Sequence, residues 1–312
     1  MTRKSLFSST PTITNPWQKL LVLVGVIFIG ACVGHWVVGW LPGSRAIIAQ
    51  QLPAPTQPYR KFLLVTQATI ASSAFIGAPL WYWRFIEQKQ VSCLFQWKQR
   101  YTYPMLLTVG LVCSFMVVNT LFIQWNMALK LPALLAGFEQ WAQHKEAELK
   151  RLTALLTTFH STTDFLGGLL VMALIPALGE ELLFRGVVQS LLRAITKNMH
   201  LAIYLSAFIF GAIHLQFYGL VPRFLLGMLL GYVYAWTKDL AFPIVAHFVN
   251  NALTLLMLFL HQQGLVEQDV SATQALPVPV IALCTGISIA LAGTLQRHSK
   301  SVHAHSIPWS QA

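Results

Sequence analysis

Glu180 and Glu181 stand side by side in one of the most apolar stretches of a 312-residue chain, 165–192. Leu-Val-Met-Ala-Leu-Ile-Pro precedes them and Leu-Leu-Phe follows directly. The chain has ten acidic residues in all, so placing two of them together here is a strong choice. An ionised carboxylate at the centre of a bilayer helix costs about 2.5–3.5 kcal/mol on insertion scales. An intramembrane ionisable pair is therefore read first as a functional site, against the plainer reading of a salt-bridged pair near an interface. On a helix Glu181 and Arg185 lie four apart on one face, in the favourable order for an ion pair. Glu180 is turned about 100° away and cannot use that arginine equally well. One glutamate is thus neutralised and positioned, and its neighbour is left free, an asymmetry that suits a general base.

Two further sets of polar residues sit in apolar runs. Phe210-Gly211-Ala212-Ile213-His214 ends one run, with Gln216 just beyond. His247-Phe248-Val249-Asn250-Asn251 lies in another. His247 and Asn251 are i,i+4 and share a face, with Asn250 offset by about 100°. Taken singly, His214 reads as an interfacial histidine and His247–Asn251 as interhelical glue. His35 has no such companions and reads as structural. Together, a carboxylate, two imidazoles and an amide on three apolar helices are the parts of a water-activating hydrolytic site. A carboxylate takes a proton from water, imidazole shares that task or protonates the leaving group, and His and Asn donate to an oxyanion. Glu180, His214 and His247 could alternatively hold Zn²⁺ with water in the fourth position. No His-Glu-x-x-His occurs, which excludes a zincin-type site.

The elements that must carry these groups are membrane helices. Hydrophobic residues make up 55% of the chain and charged residues 10%, where soluble domains run nearer a quarter charged. Eight apolar runs approach the roughly 20 residues needed to cross the hydrocarbon: 20–41, 62–85, 104–125, 165–192, 201–217, 220–236, 240–260 and 276–295. The fifth and sixth are short and abut, so a kinked or re-entrant pair is an alternative there. His214 ends a run opposite in direction to the one carrying Glu180. Their depths agree if the fourth helix breaks near Pro176 or Gly179 and restarts before Glu180. The fold class expected is all-α, a polytopic bundle of about eight transmembrane helices around an intramembrane cavity. Three regions are expected: 1–160 with three spans and an amphipathic helix, 161–262 as the catalytic membrane core, and 263–312 with the last span and a polar tail, disordered from His298.

The net charge of +11 does not point to nucleic acid. Basic residues are spread through short loops and tails (Arg3, Lys4, Lys19, Arg84, Lys89, Lys98, Arg100, Arg193, Lys197, Arg297 and Lys300), which an even span count puts on one side. That argues for N-in/C-in, although Arg45, Arg60, Lys61 and Lys145 fall opposite. The first apolar run continues past any plausible cleavage point and reads as a span rather than a signal peptide. Cys32, Cys93, Cys113 and Cys284 show no paired spacing. Leu134, Phe138, Trp141, Leu149, Leu152 and Leu156 recur at helical spacing among charged residues, an amphipathic surface helix with Glu146–Lys150 placed for an i,i+4 pair. The stretch 53–58 reads as a loop.

Glu180-Glu181-x-x-x-Arg185, Phe210-x-x-x-His214 and His247-x-x-x-Asn251, in this order on successive runs, resemble the motifs of the CPBP (ABI) intramembrane protease family. That family includes the type II CAAX prenyl endopeptidases and bacterial bacteriocin-processing and immunity proteins. The resemblance covers about 165–256, and every motif position is filled. It implies an eight-helix fold around a cavity and hydrolysis of a peptide bond near the end of a lipidated or hydrophobic peptide. By this resemblance Glu180 and His214 activate water, and His247 with Asn251 stabilise the oxyanion or contribute ligands, with Glu181 and Arg185 in support. Zinc is a candidate cofactor. The partners implied are the peptide substrate and membrane lipids, with no nucleic acid, in a multi-pass protein of a bacterial inner membrane. Two other readings are a non-catalytic or immunity-type membrane partner, and a transporter using Glu180 and His214 as a proton relay. The inverted repeats common in transporters are not evident here.

Overall fold

The computed structural model describes residues 13–41, 44, 57–95, 102–267 and 276–304. The charges at Arg3, Lys4, Arg45, Lys98 and Arg100 and most of the 53–58 loop lie outside them. The described residues form nine helices and no strand: α1 Pro16–Gly39, α2 Tyr59–Phe85, α3 Thr102–Met127, α4 Ala136–Leu156, α5 Thr162–Thr196, α6 Met199–Ala212, α7 Leu220–Thr237, α8 Ala241–Gln262 and α9 Val278–Ala304. All but α4 and α6 are long and apolar enough to span a membrane, which gives seven candidate spans among the described residues. The 14 residues of α6 make a rod of only about 21 Å, short of the hydrocarbon thickness. The protein is a multi-pass helical membrane bundle. The last helix continues through His298 to Ala304, so the tail is ordered further than its polarity suggested.

Local sequence explains most helix ends. Asn15, Ser161 and Asn198 each accept a backbone N–H as an N-cap, satisfying a donor that the first helical turn leaves orphaned. Lys197 and Lys238 close α5 and α7 in the left-handed conformation. Only two residues separate α5 from α6, and three separate α7 from α8, so the chain reverses sharply at both points.

The expected break in α5 does not occur. The helix runs unbroken from Thr162 to Thr196, with π-helical turns at Leu170–Leu174 and Leu182–Val188. The first lies just before Pro176, where an ordinary turn would press the ring on the carbonyl of residue 172. Widening the turn accommodates the proline without breaking the rod. Glu180 and Glu181 lie in the one α-helical segment between the two π turns, Ile175–Glu181. A third π turn, Ser72–Gly77 in α2, packs against this segment, and π turns concentrate at functional sites.

Small residues bring the helices close. A Cβ on Gly30 would sit 2.7 Å from the Ser73 carbonyl oxygen, and one on Gly34 2.8 Å from the Ile70 Cα. At Gly179 a Cβ would meet the Phe75 Cβ at 2.9 Å. These approaches dock α1 and α5 on α2. The main buried cluster, including Leu23, Tyr82, Leu183, Phe184, Val187, Phe210 and Leu240, fills the space among α1, α2, α5, α6 and the start of α8. Buried polar bonds tie the elements together. Arg60 donates to the Leu156 carbonyl at 3.1 Å and pairs with Asp164 at 3.3 Å, joining α2, α4 and α5. Gln262 links α8 to Thr157 and Phe159. On α3, Asn126 accepts the Val221 N–H at 2.9 Å and Asn119 donates to the Pro222 carbonyl at 3.3 Å. The first turn of α7 is thereby fixed against α3.

Because the α1–α2 approach leaves no room for a methyl group, Gly30→Ala and Gly34→Ala are each expected to lower stability by about 1–3 kcal/mol. Gly25, with nothing within 4 Å of its would-be Cβ, should accept alanine with no loss. Thermal unfolding of the three variants in detergent checks this.

Candidate active site

Glu181 and Arg185 form the pair read from their spacing. Arg185 Nη1 donates to Glu181 Oε1 at 2.9 Å, with side chains 1% and 0% exposed. The second arm of the guanidinium donates to the Gly227 carbonyl on α7 at 2.8 Å. Gly227 permits this approach, since a Cβ there would lie 3.0 Å from the Ala207 Cα on α6. The Arg185 guanidinium also lies over the Phe210 ring, 5.1 Å from its centroid, a cation–π contact strengthened by the dry surroundings. Arg185 is thus sealed beneath the site among α5, α6 and α7.

The third member of this assembly comes from α8. His247 Nδ1 lies 2.8 Å from Glu181 Oε1, the same oxygen that Arg185 uses. A carboxylate only accepts, so Nδ1 carries a proton and Nε2 is the nitrogen left facing the rest of the site. That Nε2 faces Glu180 Oε2 at 3.8 Å. Glu180, 13% exposed, is the more open of the two carboxylates. Adjacent glutamates on one helix therefore address opposite nitrogens of one imidazole. His214 follows the end of α6. Its Nδ1 donates to the Phe210 carbonyl at 2.8 Å, which leaves Nε2 as an acceptor. Phe210 is the aromatic hub between the histidines, with ring centroids 5.4 Å from His214 and 5.9 Å from His247. Asn251 lies one turn beyond His247 and accepts from Asn250 Nδ2 at 3.0 Å.

The structure thus brings Glu180, Glu181, Arg185 and His247 into direct contact or near contact, and sets His214 beside them across Phe210. Asn251 shares the helix face of His247 without a bond to it. Several contributors carry no sequence signal of their own. The Gly227 carbonyl is backbone, and Phe210 acts by position. Gln189 donates to the Gly231 carbonyl at 3.2 Å, one turn beyond the corresponding Arg185–Gly227 bond. The Gly227–Gly231 spacing, a small-xxx-small pattern, is the signal that could have pointed to close packing of α7.

Among the described residues no group of three or more His, Cys, Asp or Glu side chains is arranged to hold a metal ion. The zinc donor set Glu180, His214 and His247 is not gathered around a common point. Both histidines bond through Nδ1, which leaves Nε2 of each unoccupied, and no step below passes through a metal.

The bundle and its buried glutamate–arginine–histidine assembly define a polytopic membrane protein with an intramembrane polar centre. Residues 162–253, the segment carrying every motif residue, match the family model described as type II CAAX prenyl endopeptidase Rce1-like. The chain is also 32% identical over 88 residues to the uncharacterized protein YpbD of Bacillus subtilis (strain 168), covering 27% of this chain and 42% of that one. It thus spans less than half the length of this relative. No solved structure matches it.

Glu181→Gln and Arg185→Ala each leave a buried partner without its charge, a loss of about 3–5 kcal/mol for a buried pair. Both are expected to unfold early in detergent or to insert poorly. Glu180→Gln makes no comparable break and should melt near the wild type. Differential scanning fluorimetry of the three variants separates these outcomes.

Proposed function

We propose that the chain is an intramembrane endopeptidase that hydrolyses a peptide bond near the end of a lipidated or hydrophobic peptide. The observation that carries this reading is the orientation of His247. Glu181, itself held by Arg185, accepts a hydrogen bond from the His247 Nδ1–H and so turns Nε2 toward Glu180. An imidazole oriented by one carboxylate and facing a second, more open one has the parts of an acid–base site. The family match over 162–253 supports a peptidase.

In this mechanism water lies between the Glu180 carboxylate and His214 Nε2. Glu180 takes one proton, and the water oxygen attacks the carbonyl carbon of the scissile bond. The carbonyl π electrons move onto oxygen, giving a tetrahedral oxyanion. Protonated His247, its charge balanced by Glu181, and the Asn251 amide donate to that oxyanion. The intermediate collapses by breaking the C–N bond, and the proton held by Glu180 passes to the leaving nitrogen. One water is consumed, and a carboxylic acid and an amine are formed. Glu181 positions rather than reacts, since its Oε1 already accepts from both Arg185 and His247.

The substrate class is an apolar or lipid-modified peptide tail that reaches the site from the bilayer. The protein would reside in a bacterial inner membrane with both termini inside, α6 making a short eighth pass, so that the basic residues Lys19, Arg84, Lys89, Arg193, Lys197 and Arg297 fall on the inner side.

The test is cleavage of a fluorescence-quenched membrane peptide by protein purified in detergent or reconstituted in vesicles. Glu180→Gln should reduce kcat by about 10²–10⁴ with folding intact. His214→Ala should also fall, and the double variant should lose far less than the product of the two losses, because both groups act on one water. Independent, multiplicative losses would count against a shared water. A folded wild type that cleaves no member of a broad membrane-peptide set would favour the non-catalytic partner.

A further inference from the structure

Arg223 is a cation on the first turn of α7, inside an apolar span, and the mechanism above does not use it. Its Nη2 donates to Gln216 Oε1 in a very short contact. Gln216 Nε2 in turn donates to Glu146 Oε1 on α4 at 3.2 Å. Arg223 Nη1 is buried and has no hydrogen-bond partner. An unsatisfied buried donor on a charged group carries a desolvation penalty that a matching acceptor would remove. The guanidinium lies within electrostatic reach of Glu146 first, and then of Glu180 and His214. A charged, under-satisfied donor therefore borders the reacting groups.

The backbone has been cleared for it. A Cβ on Gly219 would lie 1.9 Å from Arg223 Nη1 and 2.9 Å from its Cζ. Gly219 has φ −111° and ψ 0°, a negative φ that does not call for glycine. Its missing side chain is thus explained by the guanidinium that fills the space. The first turn of α7 is anchored on α3 through Asn119 and Asn126, which fixes the base of the Arg223 side chain.

We propose that Arg223 is a substrate-binding residue, whose unpartnered Nη1 and neighbouring N–H groups receive the terminal carboxylate of the peptide tail. Guanidinium and carboxylate match in planar, two-point geometry, and charge-assisted bonds of this kind are among the stronger ones. The site then selects tails that end close to the scissile bond. This assignment rests on the endopeptidase reading, and its test is built to fail separately.

Two forms of one quenched, thioether-prenylated peptide are compared, one with a free terminal carboxylate and one with a terminal amide. Wild type should favour the free acid in kcat/KM by about 10- to 100-fold, the range of a charge-assisted hydrogen bond. Arg223→Gln should erase that preference by slowing the acid form alone. Gly219→Ala keeps the arginine and its charge but displaces the guanidinium, and should erase most of the preference with unchanged thermal stability. Equal loss on acid and amide in both variants would overturn the assignment and make Arg223 an oxyanion or structural group. Binding of both peptides to Glu180→Gln, read by fluorescence anisotropy, gives an arm that needs no hydrolysis. Preference for the acid there, lost on adding Arg223→Gln, supports the carboxylate site even if no cleavage is ever seen. No preference in either arm overturns it.

Discussion

One carboxylate oxygen organises the centre of this protein. Glu181 Oε1 accepts from Arg185 on its own helix and from His247 on α8, and Arg185 reaches on to the α7 backbone. Three helices thereby converge on a group with no exposed surface. In the bilayer interior an isolated charge is unsustainable, and a compact ion pair lowers the penalty, even though Arg185 Nε and Glu181 Oε2 have no hydrogen-bond partner. Pairing Glu181 with Arg185 makes the assembly neutral and leaves the His247 ring to be oriented. The constraint propagates outward. Gly227 must be small to bring α7 within reach, and Phe210 must lie flat beneath the guanidinium.

The remaining intramembrane charges balance in the same way but at longer range. Glu180 is left outside the tight pair, and Arg223 interacts electrostatically with it and with Glu146. Glutamates and arginines thus meet in two arrangements, tightly paired at Glu181–Arg185 and loosely at Arg223 with Glu146 and Glu180. The tight pair gives geometry and the loose pair leaves groups available for chemistry. The π turns on either side of Ile175–Glu181 let a continuous helix carry this pattern, because each widened turn shifts the phase of the residues beyond it. A proline that would otherwise have split the helix is absorbed, and Glu180 and Glu181 stay on one rigid rod.

Much of this was legible in the amino-acid order. The long apolar runs gave seven helices of spanning length, and the i,i+4 spacing of Glu181 and Arg185 gave their ion pair. Two readings failed. A broken fourth helix followed from treating Pro176 as a stop, where a locally widened turn absorbs the proline; Glu146–Lys150 followed from helical spacing, a local rule overridden by a tertiary contact. Glu146 turns instead toward Gln216 on the α6–α7 connection, while Lys145 pairs with Glu148 at 2.7 Å. The Glu181–His247 bond joins residues 66 apart, and spacing along a chain cannot encode it. Nor can it encode acceptors such as the Gly227 carbonyl, which every residue type possesses. Arg223 escaped notice because a lone arginine in an apolar run has meaning only through its neighbours in space.

The amphipathic helix ties these levels together. On α4, Phe138, Trp141 and Leu152 are exposed, the disposition of a helix that rests its apolar face in lipid. Its Glu146 points the other way, to Gln216, and its C-terminal carbonyl at Leu156 is held by Arg60. Polar groups gather on this side of the centre: Gln216, Arg223, Asn119 and Asn126 all surround the first turn of α7. The opposite side is closed by the packed cluster of Phe184, Val187, Leu191 and Phe210. Water and the polar end of a bound chain find partners only where polar groups line the way. The asymmetry of the packing therefore makes the α4 side the polar side of the centre. It also puts the lipid-facing helix and the polar approach at the same edge of the bundle.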